Sequence, residues 1–280
     1  MSDRSILITG CSTGIGYHCA HGMKKRGWRV FATARKPEDI ERLEAEGLET
    51  FYLDYAEPAS IAACAEDVLK ATDGRLFALF NNGAYGQPGA VEDLSTEVLR
   101  AQFDANFFGW HDLTCRLLPS MREQGRGRIV QNSSVLGLVA MKWRGAYNAS
   151  KFALEGLTDT MRLELRGSAI HVSLIEPGPV VSNFVPTALK HFEKNIDTEN
   201  SAHMVKYAEQ LARMKGTRQT SAARFRLGPE AVLAKLVHAV ESERPKAHYY
   251  VTTPTYLMAG LKRVLPQRLL DPLLSRFSDN

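Results

Sequence analysis

Short apolar runs and longer amphipathic stretches alternate along this chain from its first residues. The runs at 6–9, 29–33, 50–53, 76–80, 129–131, 171–175 and 249–251 are rich in aliphatic, β-branched and aromatic residues, the composition of buried strands. Between them lie stretches of helical periodicity at 15–26, 38–46, 60–71, 97–122 and from 230 to 242. After residue 147, Phe152, Leu154, Leu157, Met161 and Leu165 recur at helical spacing and predict a buried helix. Strand and helix in alternation predict an α/β fold, a parallel sheet with helices on both faces. Such a sheet binds ligands beyond the carboxyl ends of its strands.

The alternation breaks between 183 and 227. That segment is long and polar, with one helix expected at 201–214, and reads as a lid over a substrate. Beyond the last strand, residues 256–280 form a basic, apolar tail in which Leu257, Met258 and Leu261 alternate with Lys262, Arg263 and Arg268. Packing within the protein is its default reading; a neighbouring subunit or a lipid surface is the less favoured alternative. Repeats, low-complexity segments and linkers are absent, so 1–280 reads as one domain.

Composition narrows the function. A net charge of +4 over 280 residues makes no case for nucleic acid. Cys11, Cys19, Cys64 and Cys115 match no zinc or redox spacing and read as reduced thiols. His18 and His21 lack a third ligand, so no metal site is expected. No apolar stretch is long enough to cross a bilayer, and the run at 5–9 is too short for a signal peptide, so a cytoplasmic setting is expected.

Candidate chemistry begins with Tyr147 and Lys151, four apart and therefore on one helical face. A phenol exchanges protons poorly near neutrality, since its ordinary pKa is about 10. One ammonium about 4 Å away, at an effective dielectric near 20, supplies about 4 kcal/mol and lowers that value by about three units. Gly10, Gly14 and Gly16 follow the first strand, where glycine allows a tight turn and close approach to a pyrophosphate at a helix N-terminus. After the second strand, where an NAD site places a carboxylate, stand Ala34 and Arg35, with Lys36 as a helper. A guanidinium fits a 2′-phosphate, so the charge favours NADP(H).

Three stretches in order, Thr9-Gly10-Cys11-Ser12-Thr13-Gly14-Ile15-Gly16, Gly127 to Ser134, and Tyr147-Asn148-Ala149-Ser150-Lys151, resemble the short-chain dehydrogenase/reductase family. The likeness runs from the first strand to Ser182, more weakly beyond. It implies a single-domain Rossmann fold, a doubly wound parallel sheet of about seven strands. It implies a catalytic group of Asn106, Ser134, Tyr147 and Lys151. In that group Tyr147 exchanges a proton with the substrate oxygen and Ser134 hydrogen-bonds the same oxygen. Lys151 lowers the phenol's pKa and binds the nicotinamide ribose, while Asn106 widens its helix locally and anchors a water. Cofactor contacts are implied for Gly10, Ser12, Thr13, Gly14, Ile15 and Gly16, for Arg35, and for Asp54 at the adenine. They are implied also for Asn81 with Asn82, for Tyr147 and Lys151, and for Pro177, Gly178, Val180 and Ser182 beside the nicotinamide. Met141 and Trp143 are expected to touch substrate. Gly83-Ala84 reverses the family's usual order.

Ala32-Thr33-Ala34-Arg35 and Glu176-Pro177-Gly178-Pro179-Val180 look most like the steroid- and retinol-dehydrogenase branch and its bacterial aldehyde-reductase relatives. The resemblance implies NADP(H)-dependent reduction of a small lipophilic aldehyde or ketone. Oxidation of a hydrophobic secondary alcohol is the alternative, and a catalytically silent cofactor sensor a third. A homodimer or homotetramer is implied by the same likeness.

Overall fold

All four residues of the first strand are buried, as a strand covered by helices on both faces must be. The computed structural model describes residues 4–216 and 224–279. Its strands are β1 (Ser5–Ile8), β2 (Arg29–Ala34), β3 (Glu49–Tyr52), β4 (Ala78–Asn81), β5 (Gly127–Asn132), β6 (Ile170–Glu176) and β7 (His248–Tyr250). They form one sheet in the order β3-β2-β1-β4-β5-β6-β7, every neighbouring pair parallel. The fold is the doubly wound sheet expected, and the strand order reverses between β1 and β4, where such folds hold their ligands.

The helices are α1 (Gly14–Lys25), α2 (Pro37–Ala45), α3 (Pro58–Ala71), α4 (Thr96–Phe103), α5 (Gly109–Glu123), α6 (Val135–Leu138), α7 (Gly145–Glu164), α8 (Phe184–Asn195), α9 (Met204–Met214), α10 (Glu230–Glu241), α11 (Thr253–Val264) and α12 (Gln267–Asp279). Side chains of β1 alternate between the two layers. Ile6 and Ile8 pack with Cys19 and Met23 of α1 and Leu236 of α10. Leu7 packs with Ile61 and Val68 of α3 and Leu113 and Leu117 of α5.

Three local features matter for the site. The helix expected at 97–122 is α4 and α5 joined by a π turn, Asp104–Phe108, which is the local widening implied at Asn106. Ahead of α7 stands α6, a single turn capped by Ser134. The polar stretch after Ser182 forms α8, whose buried residues are only Ala188 and Phe192, too sparse a pattern to register as periodicity.

The expected lid is tied to the body. Buried Tyr207 of α9 accepts the Ala90 amide at 2.8 Å and donates to Asp93; Ser201 donates to the same carboxylate at 2.7 Å. Residues 217–223 of that lid lie outside the described residues. Met258 of α11 and Leu270 and Leu274 of α12 pack against Val135, Leu136, Val139 and Tyr147, so the tail packs within the protein, against α6 and the start of α7. Among the described residues no helix is long and apolar enough to cross a membrane.

Candidate active site

Gly10 and Gly14 adopt left-handed backbone, at φ 68° and 63°. A side chain on Gly10 would stand 2.6 Å from the Gly83 Cα, and one on Gly14 would stand 3.2 Å from the Ser182 Cβ. The close approach of the two strand ends rests on Gly10, since a side chain on Gly83 would touch Gly10 and Tyr55 only at 3.4 Å, an ordinary contact. Thr13 precedes α1 without capping it, and the first turn of α1 carries no acid. The N-terminal amides of α1 are thus open to an anion. Ser12 is half-buried and Thr13 exposed, while Ile15 turns inward onto the core. Arg42 of α2 braces the turn, donating to the Ser12 carbonyl at 2.7 Å with its guanidinium over the Tyr17 ring.

The second strand leads to Arg35, whose exposed guanidinium lies 3.5 Å from an Asp54 carboxylate oxygen. Asp54 does not cap α3; its other oxygen accepts the Ala56 amide at 3.0 Å. Asn81, expected to line the cofactor, is fully buried, and its side chain is taken up by the protein. It accepts from the Tyr55 hydroxyl at 2.8 Å and donates to Thr114 at 3.0 Å. Asn82 links the glycine turn to β5: it donates to the Thr9 carbonyl at 3.0 Å and accepts from Asn132 at 2.8 Å.

Of the four residues expected to act together, Ser134, Tyr147 and Lys151 gather at the carboxyl end of β5, and Asn106 approaches α7 at Ser150. The Ser134 hydroxyl accepts the Leu136 amide at 3.1 Å and is near enough to the Tyr147 phenol to favour its ionised form. Ser133, one residue earlier, points instead towards Glu155, as the alternation of side chains requires. The Lys151 ammonium donates to the Asn132 carbonyl at 2.8 Å, 4.2 Å from the centre of the Trp110 ring and 5.7 Å from that of Tyr147. Asn106, freed from helical register by the π turn, donates to the Tyr85 carbonyl at 2.8 Å and accepts the Tyr85 amide at 3.2 Å. It reaches Ser150 at 3.5 Å.

In the turn expected beside a nicotinamide, Pro177 is buried and its carbonyl accepts the Val135 amide at 2.9 Å. Gly178 has no room for a side chain, which would meet the Thr252 hydroxyl at 2.0 Å. Val180 packs on the core and pairs with Leu227, and Ser182 accepts the Phe184 amide at 3.3 Å. Met141 joins the apolar cluster around Tyr147. Trp143 does not join it. Its left-handed backbone, φ 64°, turns the ring outward onto His203 and Tyr207, where it anchors the lid. Phe184, which no sequence signal marked, sets its ring against Tyr147 with centroids 5.1 Å apart. Tyr85, also unmarked, stacks on His191 at 4.0 Å.

Electrostatics overturn one expectation. Burial pushes the Tyr147 phenol up to about 12, opposed by the Ser134 hydrogen bond and the Arg144 charge. Lys151 itself is pushed down to about 7 by burial, with Glu155 working against the shift. Each group is desolvated in one dry site, and that burial sets the direction of both shifts. Behind Lys151, burial raises Glu155 to about 7. Glu155, Glu176 and His248 lie together, His248 2.6 Å from Glu176 and 3.5 Å from Asp159.

A carboxyl raised from 4.5 to about 7 contributes stability that is complete below its unfolded value and is lost as pH rises through about 7. The raised Glu176 and His248 act in the same direction, whereas the lowered Lys151 adds stability only above about 7. The melting temperature is therefore expected to fall between about pH 5 and 7.5, and Glu155→Gln to flatten that fall. Thermal melts of both proteins across this range check it; parallel curves count against the assignment.

These geometries have counterparts. The family model described as short chain dehydrogenase matches residues 4–192. An uncharacterized oxidoreductase of Escherichia coli (strain K12), YbbO, is 44% identical over 272 residues, 97% of this chain and 94% of that protein. The 17-beta-hydroxysteroid dehydrogenase type 1 of Homo sapiens is 32% identical over 289 residues, 99% of this chain and 84% of that one. The crystal structure of a short-chain dehydrogenase from Streptomyces avermitilis superposes with a TM-score of 0.78 at 28% identity, covering 98% of this chain and 94% of its own. With the family model matching residues 4–192 and relatives 44% and 32% identical across nearly the whole chain, the chain belongs to the short-chain dehydrogenases.

Proposed function

We propose that the protein is an NADP(H)-dependent reductase of lipophilic aldehydes or ketones. The observation that carries the reading is the Tyr147 phenol, beside Ser134 and held by burial at a pKa of about 12. Such a phenol is protonated throughout the neutral range, the state a proton donor needs. Oxidation of an alcohol would need the same group as a base, so the protonated phenol suits reduction.

The turn fits a dinucleotide. Gly10 and Gly14 leave room where side chains would collide, and the uncapped N-terminus of α1 meets a phosphate with bare amides. When bound, the nicotinamide cofactor supplies the hydride. Arg35 holds the 2′-phosphate: its exposed pair with Asp54 is worth at most about 1 kcal/mol, so the guanidinium is easily recruited. Tyr147 gives its proton to the carbonyl oxygen, and Ser134 hydrogen-bonds that oxygen as charge develops on it. Lys151, fixed by Asn132 and Trp110, binds the nicotinamide ribose and holds a proton near the phenol. Asn106 keeps the Tyr85 segment in place and anchors a water that returns protons. The apolar wall of Val139, Met141, Phe184 and Met258 receives the substrate body.

Initial rates with a panel of aldehydes and ketones, comparing NADPH with NADH, test the proposal. NADPH is expected to be preferred, and Arg35→Glu to lower kcat/KM for NADPH about a hundredfold while improving NADH. An unaltered protein that prefers NADH refutes the cofactor assignment.

A further inference from the structure

Glu155, Glu176 and His248 come from three elements, and the sheet register brings them to one face. In the β6–β7 pairing Leu174 stands opposite His248. Side chains two residues apart on a strand share a face, so Glu176 lies on the same side as His248. The β5–β6 pairing ends with Asn132 opposite Ile175, so the next residue, Ser133, comes level with Glu176. The Ser133 amide donates to the Ile175 carbonyl at 2.7 Å. Glu155 closes the group from α7, one turn after Lys151.

The ligating atoms converge. One such atom from each of Glu155, Glu176 and His248 lies within 4.8 Å of the other two. His248 turns Nδ1 to both carboxylates, 2.6 Å from Glu176 Oε1 and 3.9 Å from Glu155 Oε2. The other Glu176 oxygen accepts the Tyr249 amide at 3.0 Å, which leaves Oε1 directed at the imidazole. The far side of the ring faces Asp159, whose carboxylate lies 3.5 Å from Nε2 and is itself held by Arg162 at 2.5 Å. A carboxylate behind an imidazole is the arrangement that orients a ligating histidine.

Hydrogen bonding within the group leaves two oxygens over. Ser133 is 4% exposed and its hydroxyl has no hydrogen-bond partner; nor has Glu155 Oε1. Both border the bare Cα of Gly137, where a side chain would meet the hydroxyl at 2.7 Å and Oε1 at 3.0 Å. Buried oxygens without partners are unfavourable, and a bound ion is one of the few groups that satisfies them. Charge points the same way. Among the described residues neither Glu155 nor Glu176 forms an ion pair with a lysine or an arginine. Lys151 and Lys262 act on Glu155 from a distance. Lys151 donates to the Asn132 carbonyl, however, and Lys262 lies over the Phe152 ring at 4.5 Å. Two buried carboxylates thus share one imidazole, whereas a divalent ion beside a neutral imidazole would balance them.

We infer that Glu155, Glu176 and His248 bind one divalent transition-metal ion of the zinc class, with the Ser133 hydroxyl on its open side. Oxygen ligands alone would suit magnesium or calcium; the imidazole selects the softer ion. The ion takes the place of the proton between His248 and Glu176 and ties α7 to β6 and β7. Its ligands come from distant parts of the chain, so no ligand spacing marks it in the sequence. The site goes beyond the reductase reading and does not depend on it.

Metal analysis of the purified protein before and after chelator treatment tests the inference, with zinc then titrated calorimetrically into the treated protein. One ion per chain is expected, with a Kd of about 1 μM or tighter. Saturating zinc is expected to raise the melting temperature by about 5 °C or more. Glu155→Gln and His248→Asn are expected to abolish both the ion and the shift. Asp159→Asn alters only the carboxylate behind the ring and is expected to weaken binding about tenfold to a hundredfold. The double variant His111→Ala, Cys115→Ser removes an exposed imidazole–thiol pair 3.6 Å apart, the kind that collects stray zinc, and is expected to change nothing. A wild type that takes up no zinc, or uptake that survives Glu155→Gln and His248→Asn, overturns the inference. So does an equal loss of melting temperature in those variants with and without zinc, which leaves the group a hydrogen-bonded brace. If either buried variant fails to fold, Asp159→Asn decides, and unchanged zinc affinity there overturns the inference.

Discussion

Tyr147→Phe is expected to lower kcat/KM for carbonyl reduction about a thousandfold while leaving NADPH affinity within about threefold of the wild type. The substitution removes one hydroxyl and little else. The ring packs edge-on against Phe184, with Val135, Leu136 and Met258 around it, and phenylalanine keeps these contacts. Ser134 retains its Leu136 bond, and Lys151 retains the Asn132 carbonyl and the Trp110 face. Only the proton donor is lost, and a positioned general acid is worth about a hundredfold to ten-thousandfold. Steady-state rates and a fluorescence titration with NADPH separate the two quantities. Because burial keeps the phenol protonated up to about 12, its own ionisation leaves the wild-type reductive rate flat with pH near neutrality. Near-normal turnover in the variant would remove Tyr147 from the chemistry.

How far the chain could be read follows from what each signal measures. Periodicity located every strand of the sheet and most of its helices, because burial on both faces leaves β1 as an unbroken apolar run. It passed over the π turn at Asn106, since one extra residue in a helical repeat leaves apolar positions nearly unchanged while re-aiming a single amide. It passed over α8 because only Ala188 and Phe192 of that helix are buried. The Tyr147–Lys151 pair was legible from spacing and Ser134 from the resemblance, but the electrostatics of the group were not. Pair attraction can be reckoned from separation along a helix, whereas desolvation depends on what the rest of the fold places around the pair. Trp143 shows the same limit: its position before Tyr147 pointed to substrate, and a left-handed φ turned it to the lid.

The glycine turn offers the second large effect. Gly16→Ala is expected to weaken NADPH binding about a hundredfold and to lower stability by about 3 kcal/mol. A methyl at Gly16 would sit 2.2 Å from the Gly10 carbonyl oxygen and 2.7 Å from the Asn82 amide nitrogen. Neither neighbour can retreat. Gly10 is pressed on its other side by Gly83, and Asn82 is held by the Thr9 carbonyl and by Asn132. Asn132 in turn supplies the carbonyl that fixes Lys151, so a shift at Gly16 reaches the ammonium through two side-chain amides. Binding and turnover are therefore expected to fall together, unlike in Tyr147→Phe. Gly156→Ala is the control: on the exposed face of α7 a methyl meets nothing within 4 Å, and alanine there is expected to raise stability by up to about 1 kcal/mol. Thermal melts and NADPH titrations of both variants decide the matter. Unchanged cofactor affinity in Gly16→Ala would mean that the turn does not carry the dinucleotide.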